Sequence, residues 1–209
     1  MTQLWGLIYQ VTSVIGFILT AVFNVTLIIL TGWHIKKDFG TYKYLIILFS
    51  CIGIIYDFIG LSISPMVHSY NSGILAFSTA RFLCLSRSGI TIILATSGGV
   101  FLASTSLQAI MFVHRYFSVV KPEQLYYFQG KRLMLWLLYP LTFGIALFIG
   151  LPIFSPVDEF SKNYFNAEIV KDHGITMDEV SAFVFIVYDD QSKLRWNNVI
   201  MIIFINLSM

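Results

Sequence analysis

Four apolar stretches, over 4–33, 44–66, 88–114 and 133–154, constrain this chain more than any other feature, because none contains a lysine or arginine. About 20 apolar residues in a helix cross the hydrocarbon core of a bilayer. Within that core only helices and closed barrels satisfy their own backbone hydrogen bonds. Each stretch therefore predicts a membrane-spanning helix. Composition excludes the soluble alternative: 57% of the 209 residues are hydrophobic and 11% are charged, where a soluble domain carries roughly a quarter charged residues. The formal net charge of +2 is too small to argue for a nucleic-acid partner.

A fifth apolar run begins near Val199, and the sequence stops at Met209. Its eleven residues, at about 1.5 Å each, reach roughly half a bilayer. The expected fold is thus an all-α transmembrane bundle, one membrane domain over 1–209, with four full spans and a truncated fifth. The loop 155–197 is expected to be solvated and outside.

Orientation follows from the loops. The loops 34–43 and 115–132 hold seven lysines and arginines, including Lys36, Lys37, Arg115, Lys131 and Arg132, while the much longer loops 67–87 and 155–197 hold six. Positive charge concentrates on the cytoplasmic side of membrane proteins, which predicts an outside N-terminus and a cytoplasmic Arg115. The acids Asp158, Glu159, Asp189 and Asp190 in 155–197 suit a solvated outer loop. Trp5, Trp33 and Tyr70 sit where interfacial aromatics anchor a span.

Few residues carry chemistry. Asp57 is the one carboxylate inside a full span. A charge at mid-membrane costs several kcal/mol, by order of magnitude, unless paired or wetted. The candidate partner is Asn24 in the first span, as an inter-helix hydrogen bond or as an ion or water site. In the third span Ala95, Gly99 and Ala103 recur at every fourth residue and share one helical face. Small residues there let another helix approach closely, which marks the third span as the crowded centre of a bundle. A substrate-conducting groove along that face is the alternative. Arg115 is at least a snorkelling anchor at the cytoplasmic rim. Cys51 reads as a small residue within a span, Cys84 precedes the third span, and 157–209 holds no cysteine, so no disulfide can tie the long loop to the third helix. The histidines His34, His68, His114 and His173 are scattered and read as interfacial or loop residues. Nothing points to a metal, a cofactor or an enzyme: phosphate-binding glycine loops, zinc-protease and serine-hydrolase motifs are all missing.

Several segments, NVTLIIL, FGTYKYLIILFS, SPMVHSYNSG, FVHRYFSVVKPEQL and YDDQSKLRWNNVIMI, resemble the nematode seven-transmembrane serpentine chemoreceptors of the Str type, with the similar Srj class. The resemblance covers nearly the whole chain, and Gly40–Leu45 is its most specific part. It implies a G-protein-coupled odorant or pheromone receptor of the plasma membrane in sensory cilia, binding a small odorant-like ligand and a heterotrimeric G protein. Arg115 and Tyr116 would match the receptor-wide Asp-Arg-Tyr position, with His114 in place of the acid, and would form the G-protein contact and switch. Asn24 and Asp57 would match a polar contact between the first and second helices. Seven spans are implied, so the chain reads as a truncated receptor or fragment. The alternative reading is a non-signalling membrane protein. It would oligomerise through the exposed face of the third helix and retain related receptors in the endoplasmic reticulum.

Overall fold

The structure, a computed structural model, describes residues 2–33, 40–79, 85–189 and 191–208. Expectations for His34, Lys36, Lys37, Cys84, Asp190 and Met209, and for the side chains of Trp5 and His173, fall outside the described residues. Four long apolar helices run as expected: α1 (Thr2–Trp33), α2 (Tyr42–Ile63), α3 (Arg87–Val120) and α4 (Lys131–Phe154). All four are long and apolar enough to cross a membrane. A shorter apolar helix, here α6 (Trp196–Ser208), covers the fifth run. Large apolar side chains such as Val22, Phe23, Phe58, Met134 and Ile203 stand exposed on the bundle. In water such a surface would drive aggregation; in lipid it is the solvated face.

The ends of the spans are set by local chemistry. α2 stops three residues before the expected Met66, because Ser64 takes a left-handed conformation (φ 43°) and Pro65 follows. A residue before proline is driven out of helical conformation, and the left-handed cap closes the last turn. α3 continues past His114 to Val120, so Arg115 and Tyr116 lie within the helix and not at its end. A 3-10 segment, Pro122–Phe128, then turns the chain back into α4. Pro140 and Pro152 lie inside α4 as expected.

The segment expected as a solvated loop, 155–197, is folded. It contains a helix, α5 (Glu159–His173), and a strand, β3 (Ser181–Ile186). The strand joins a hairpin formed after α2 by β1 (Met66–Tyr70) and β2 (Gly73–Ser78). The three strands form one antiparallel sheet in the order β1-β2-β3. The transmembrane helices are as expected, but the end of the bundle that carries the hairpin has a mixed α and β lid. β3 is buried on both faces. Ala182, Val184 and Ile186 join Leu75, Phe77, Phe165 and Ile169 in the lid core, while Phe183 packs on Leu94, Leu102 and Leu151 in the bundle core. Neighbouring residues on a strand point to opposite faces, so one strand serves both cores. That is why 181–186 reads as a continuous apolar run without alternation.

α3 packs along α4, and α1 packs against α2. The α3–α4 contact is backbone to backbone. A β-carbon at Gly99 would lie 2.7 Å from the Gly144 carbonyl oxygen, and one at Gly144 would lie 2.9 Å from the Gly99 carbonyl oxygen and 3.0 Å from the Ala103 side chain. Ala95 is buried one turn further along the same face. The small-residue face is therefore occupied by α4.

Replacing Gly99 with leucine must push α3 and α4 apart. Overpacking of this kind costs about 1–3 kcal/mol. Gly16, which has open space around its backbone, is the control. We expect Gly99→Leu to lower the thermal midpoint of the detergent-purified protein by several degrees and Gly16→Leu to leave it nearly unchanged.

Candidate functional site

Two clefts lie at opposite ends of α3. At the basic end, Gly40, Thr41, Tyr42, His114, Arg115 and Ser118, with residues of the 3-10 segment, line a cleft of about 690 Å³. Its floor is aromatic. The His114 ring is 6% exposed and sits 5.1 Å from the Tyr42 ring and 4.9 Å from the Phe128 ring. Phe128 stacks in turn on Trp136 at 4.7 Å. The 3-10 segment thus inserts Phe128 as a plug beneath α3. Ser118 Oγ donates to the His114 carbonyl at 2.9 Å and lies 3.3 Å from Nδ1.

Arg115 is exposed above this floor. Its Nε donates to the Tyr42 hydroxyl, and the guanidinium carbon stands 5.4 Å from the Tyr42 ring centre. Tyr42 belongs to the Gly40–Leu45 block and was missed as a functional residue, although a tyrosine at the start of a span facing a lone arginine was the available signal. The three residues expected to act together are divided. Arg115 lines the cleft, His114 lies beneath it, and Tyr116 points elsewhere, 53% exposed. His114 lines the cleft from below, largely buried, with its ring packed between Tyr42 and Phe128.

At the hairpin end a cleft of about 750 Å³ runs between α3, α4 and the lid. Ile92, Phe148, Ile149 and Ile153 form its apolar wall, and Arg87, Ser88, Thr91 and Lys162 its polar rim. Arg87, the first residue of α3, ties the lid to the bundle. Its Nε donates to the Val180 carbonyl at 3.1 Å, and Nη2 donates to the carbonyls of Met177 at 3.0 Å and Val180 at 2.8 Å. Ser181 Oγ returns a bond to the Arg87 carbonyl at 3.0 Å. These bonds hold the long segment to the third helix where no disulfide can. On the other side Asn198 Nδ2 donates to the Ile186 carbonyl at 3.1 Å and Val184 N to that of Ser155 at 3.1 Å.

Ion pairs brace the lid. Lys162 Nζ meets Asp178 at 2.8 Å, and Arg195 pairs with Asp158. Asp158 also caps α5, with reciprocal bonds to Ser161. Partial burial pushes the Asp158 carboxyl up, but the Ser161 bonds and the Arg195 guanidinium together outweigh it and hold it below the ordinary value. The hydrogen bond and charge of Lys162 likewise hold Asp178 low.

Polar side chains of α1 and α2 meet between the two helices. Asp57 is hydrogen-bonded by Thr20, and its Oδ2 is buried without a partner among the described residues. Asn24 sits one turn along α1, with its Nδ2 3.3 Å from where a β-carbon would stand on Gly53. The two helices run antiparallel, so the pairs step together: Thr20 with Asp57, Asn24 with Gly53.

A bundle with four candidate membrane spans and a cleft at each end of α3 is that of a multi-pass membrane protein. The chain belongs to the family described as serpentine type 7TM GPCR chemoreceptor Str, which matches residues 9–209. It is 31% identical over 193 residues to the G-protein coupled receptor str-33 of Caenorhabditis elegans, covering 90% of this chain and 56% of that protein. It is 29% identical over 202 residues to the serpentine receptor class r-10 of Caenorhabditis briggsae, covering 93% of this chain and 57% of that one. The chain spans little more than half the length of these relatives. No solved structure matches it.

The depressed Asp158 carboxyl has a pH consequence. Its ionised form stabilises the lid fully above the ordinary aspartate value of 3.8, and this is lost as pH falls through the lower folded value. Asp158→Asn keeps a competent cap but removes the charge pair with Arg195. Acidification from pH 7 to pH 3 is expected to lower the thermal midpoint of the wild type more than that of Asp158→Asn.

Proposed function

We propose that this chain acts as a G-protein-coupled chemosensory receptor. It takes a small odorant-like ligand at the hairpin end and meets a heterotrimeric G protein at the basic end. The observation that carries this reading is that α3 walls both clefts, with Arg87–Ala95 at one end and His114–Val119 at the other. Between them the Gly99–Gly144 contact stiffens the helix pair. A ligand wedged between α3 and α4 favours one arrangement of the pair, and any arrangement bound better is the one whose population rises. The same shift moves Arg115 relative to Tyr42.

In this reading the hairpin end faces outside and the basic end faces the cytoplasm, which the distribution of lysine and arginine supports. The plasma membrane of a sensory cilium is the expected location, with retention in the endoplasmic reticulum as the fate of any form that fails to assemble. Arg115 and the exposed Tyr116 are the G-protein contacts. His114 acts indirectly, by holding Tyr42 under Arg115. The Tyr42 hydroxyl restrains Arg115 in the resting arrangement.

Cells expressing the chain at the surface should change a second messenger when given an active odorant. A surface-expressed chain that changes no second messenger, with any odorant or at rest, refutes the receptor reading. Two variants refine it. Arg115→Lys keeps the charge and loses the Nε bond and the planar fork, and signalling is expected to fall at unchanged surface level. Tyr42→Phe frees the arginine, and resting second-messenger output is expected to rise severalfold.

A further inference from the structure

The hairpin-end cleft carries charge of one sign. Both charged residues that line it, Arg87 and Lys162, are cations. Lys162 is matched by Asp178. The bonded partners of Arg87 are the neutral carbonyls of Met177 and Val180, and the Asp178 carboxylate, which pairs directly with Lys162, reaches Arg87 only through its field. Those bonds use Nε and Nη2. Nη1 has no hydrogen-bond partner among the described residues, and Arg87 is exposed at the rim. The guanidinium is thus clamped in orientation by the lid with one nitrogen left to donate.

The wall below it is apolar. Ile92, Ile149 and Ile153 are 57%, 51% and 59% exposed, and Phe148 and Pro152 continue the same surface. A cleft of about 750 Å³ lies within the usual range for small-molecule sites, roughly 300–1,000 Å³. We propose, resting on the receptor reading above, that this cleft selects water-borne amphiphilic carboxylates: one anionic head on Arg87 Nη1 and one aliphatic chain along Ile92, Phe148 and Ile149. A single free nitrogen suits a small monoanionic head. The paired Nε and Nη2 donors with which arginine forks carboxylates and phosphates alike are already engaged by the Met177 and Val180 carbonyls, so only Nη1 is left for the head, and the anionic-lipid arm of the test separates a carboxylate from a phospholipid head group.

The test uses the full chain in phosphatidylcholine nanodiscs, with decanoate as the probe and calorimetry as the readout. Decanoate is expected to bind about tenfold or more tightly than methyl decanoate or decylammonium, the ratio set by one charge-assisted hydrogen bond. Arg87→Gln is expected to lose that preference. Because Arg87 also holds the lid, Ile149→Trp serves as a second variant. It fills the wall without touching the clamp and is expected to abolish decanoate binding with an unchanged thermal midpoint. Equal binding of acid and ester overturns the proposal, as does full decanoate binding to Ile149→Trp. Loss of decanoate binding on adding phosphatidylglycerol to the nanodiscs also overturns it, by assigning the cleft to an anionic lipid. Decanoate binding without a second-messenger response leaves this inference standing and defeats the receptor reading. A response to a neutral odorant with no decanoate binding does the reverse.

Discussion

The backbones of α3 and α4 touch at Gly99 and Gly144, and much of the architecture is arranged around that contact. Helices in lipid gain no hydrophobic driving force by meeting one another, so close van der Waals packing of small residues has to hold them. The crossing brings α4 against the small-residue face of α3. It also leaves the larger residues on either side, Ile92 and Phe148 among them, to flare apart into a cleft. Arg87 and Arg115 stand near the two ends of the helix that this contact anchors.

The lid extends the same logic beyond the bundle. A sheet whose last strand is buried on both faces couples the two cores. A change in the position of β3 is felt by Phe183 in the bundle and by Val184 in the lid. Arg87 adds a polar clamp at the same place. It takes two carbonyls of the segment leading into β3 and lines the cleft. On the proposed reading, structural tie and ligand anchor fall on one side chain, which links ligand chemistry to lid position without any covalent bridge.

At the basic end the controlling feature is Phe128. The 3-10 segment carries it under α3, where it confines His114, which in turn supports Tyr42 beneath Arg115. The sequence motif His-Arg-Tyr looks like three neighbours with one task. On a helix, adjacent residues point about 100° apart. One is buried, one lines the cleft, and one faces away.

The sequence alone determined the number of spans, the side that carries positive charge and the stripe of small residues. Each of these is a local or compositional quantity: length against bilayer thickness, charge per loop, spacing at every fourth residue. Tertiary structure decided the rest. The nearness of Thr20 to Asp57 was not legible, because the relative sliding of α1 and α2 sets that register and no periodicity in either helix reports it. The segment 155–197 looked like a loop because its acids and lysines gave it a polar composition. Its strand pairs with 73–78, far away in sequence, and only that pairing gives its apolar run a place to be buried. In the sequence Arg87 is only one of the six lysines and arginines counted in the outer loops. Its role appeared only when folding brought the carbonyls of Met177 and Val180 within reach of its guanidinium.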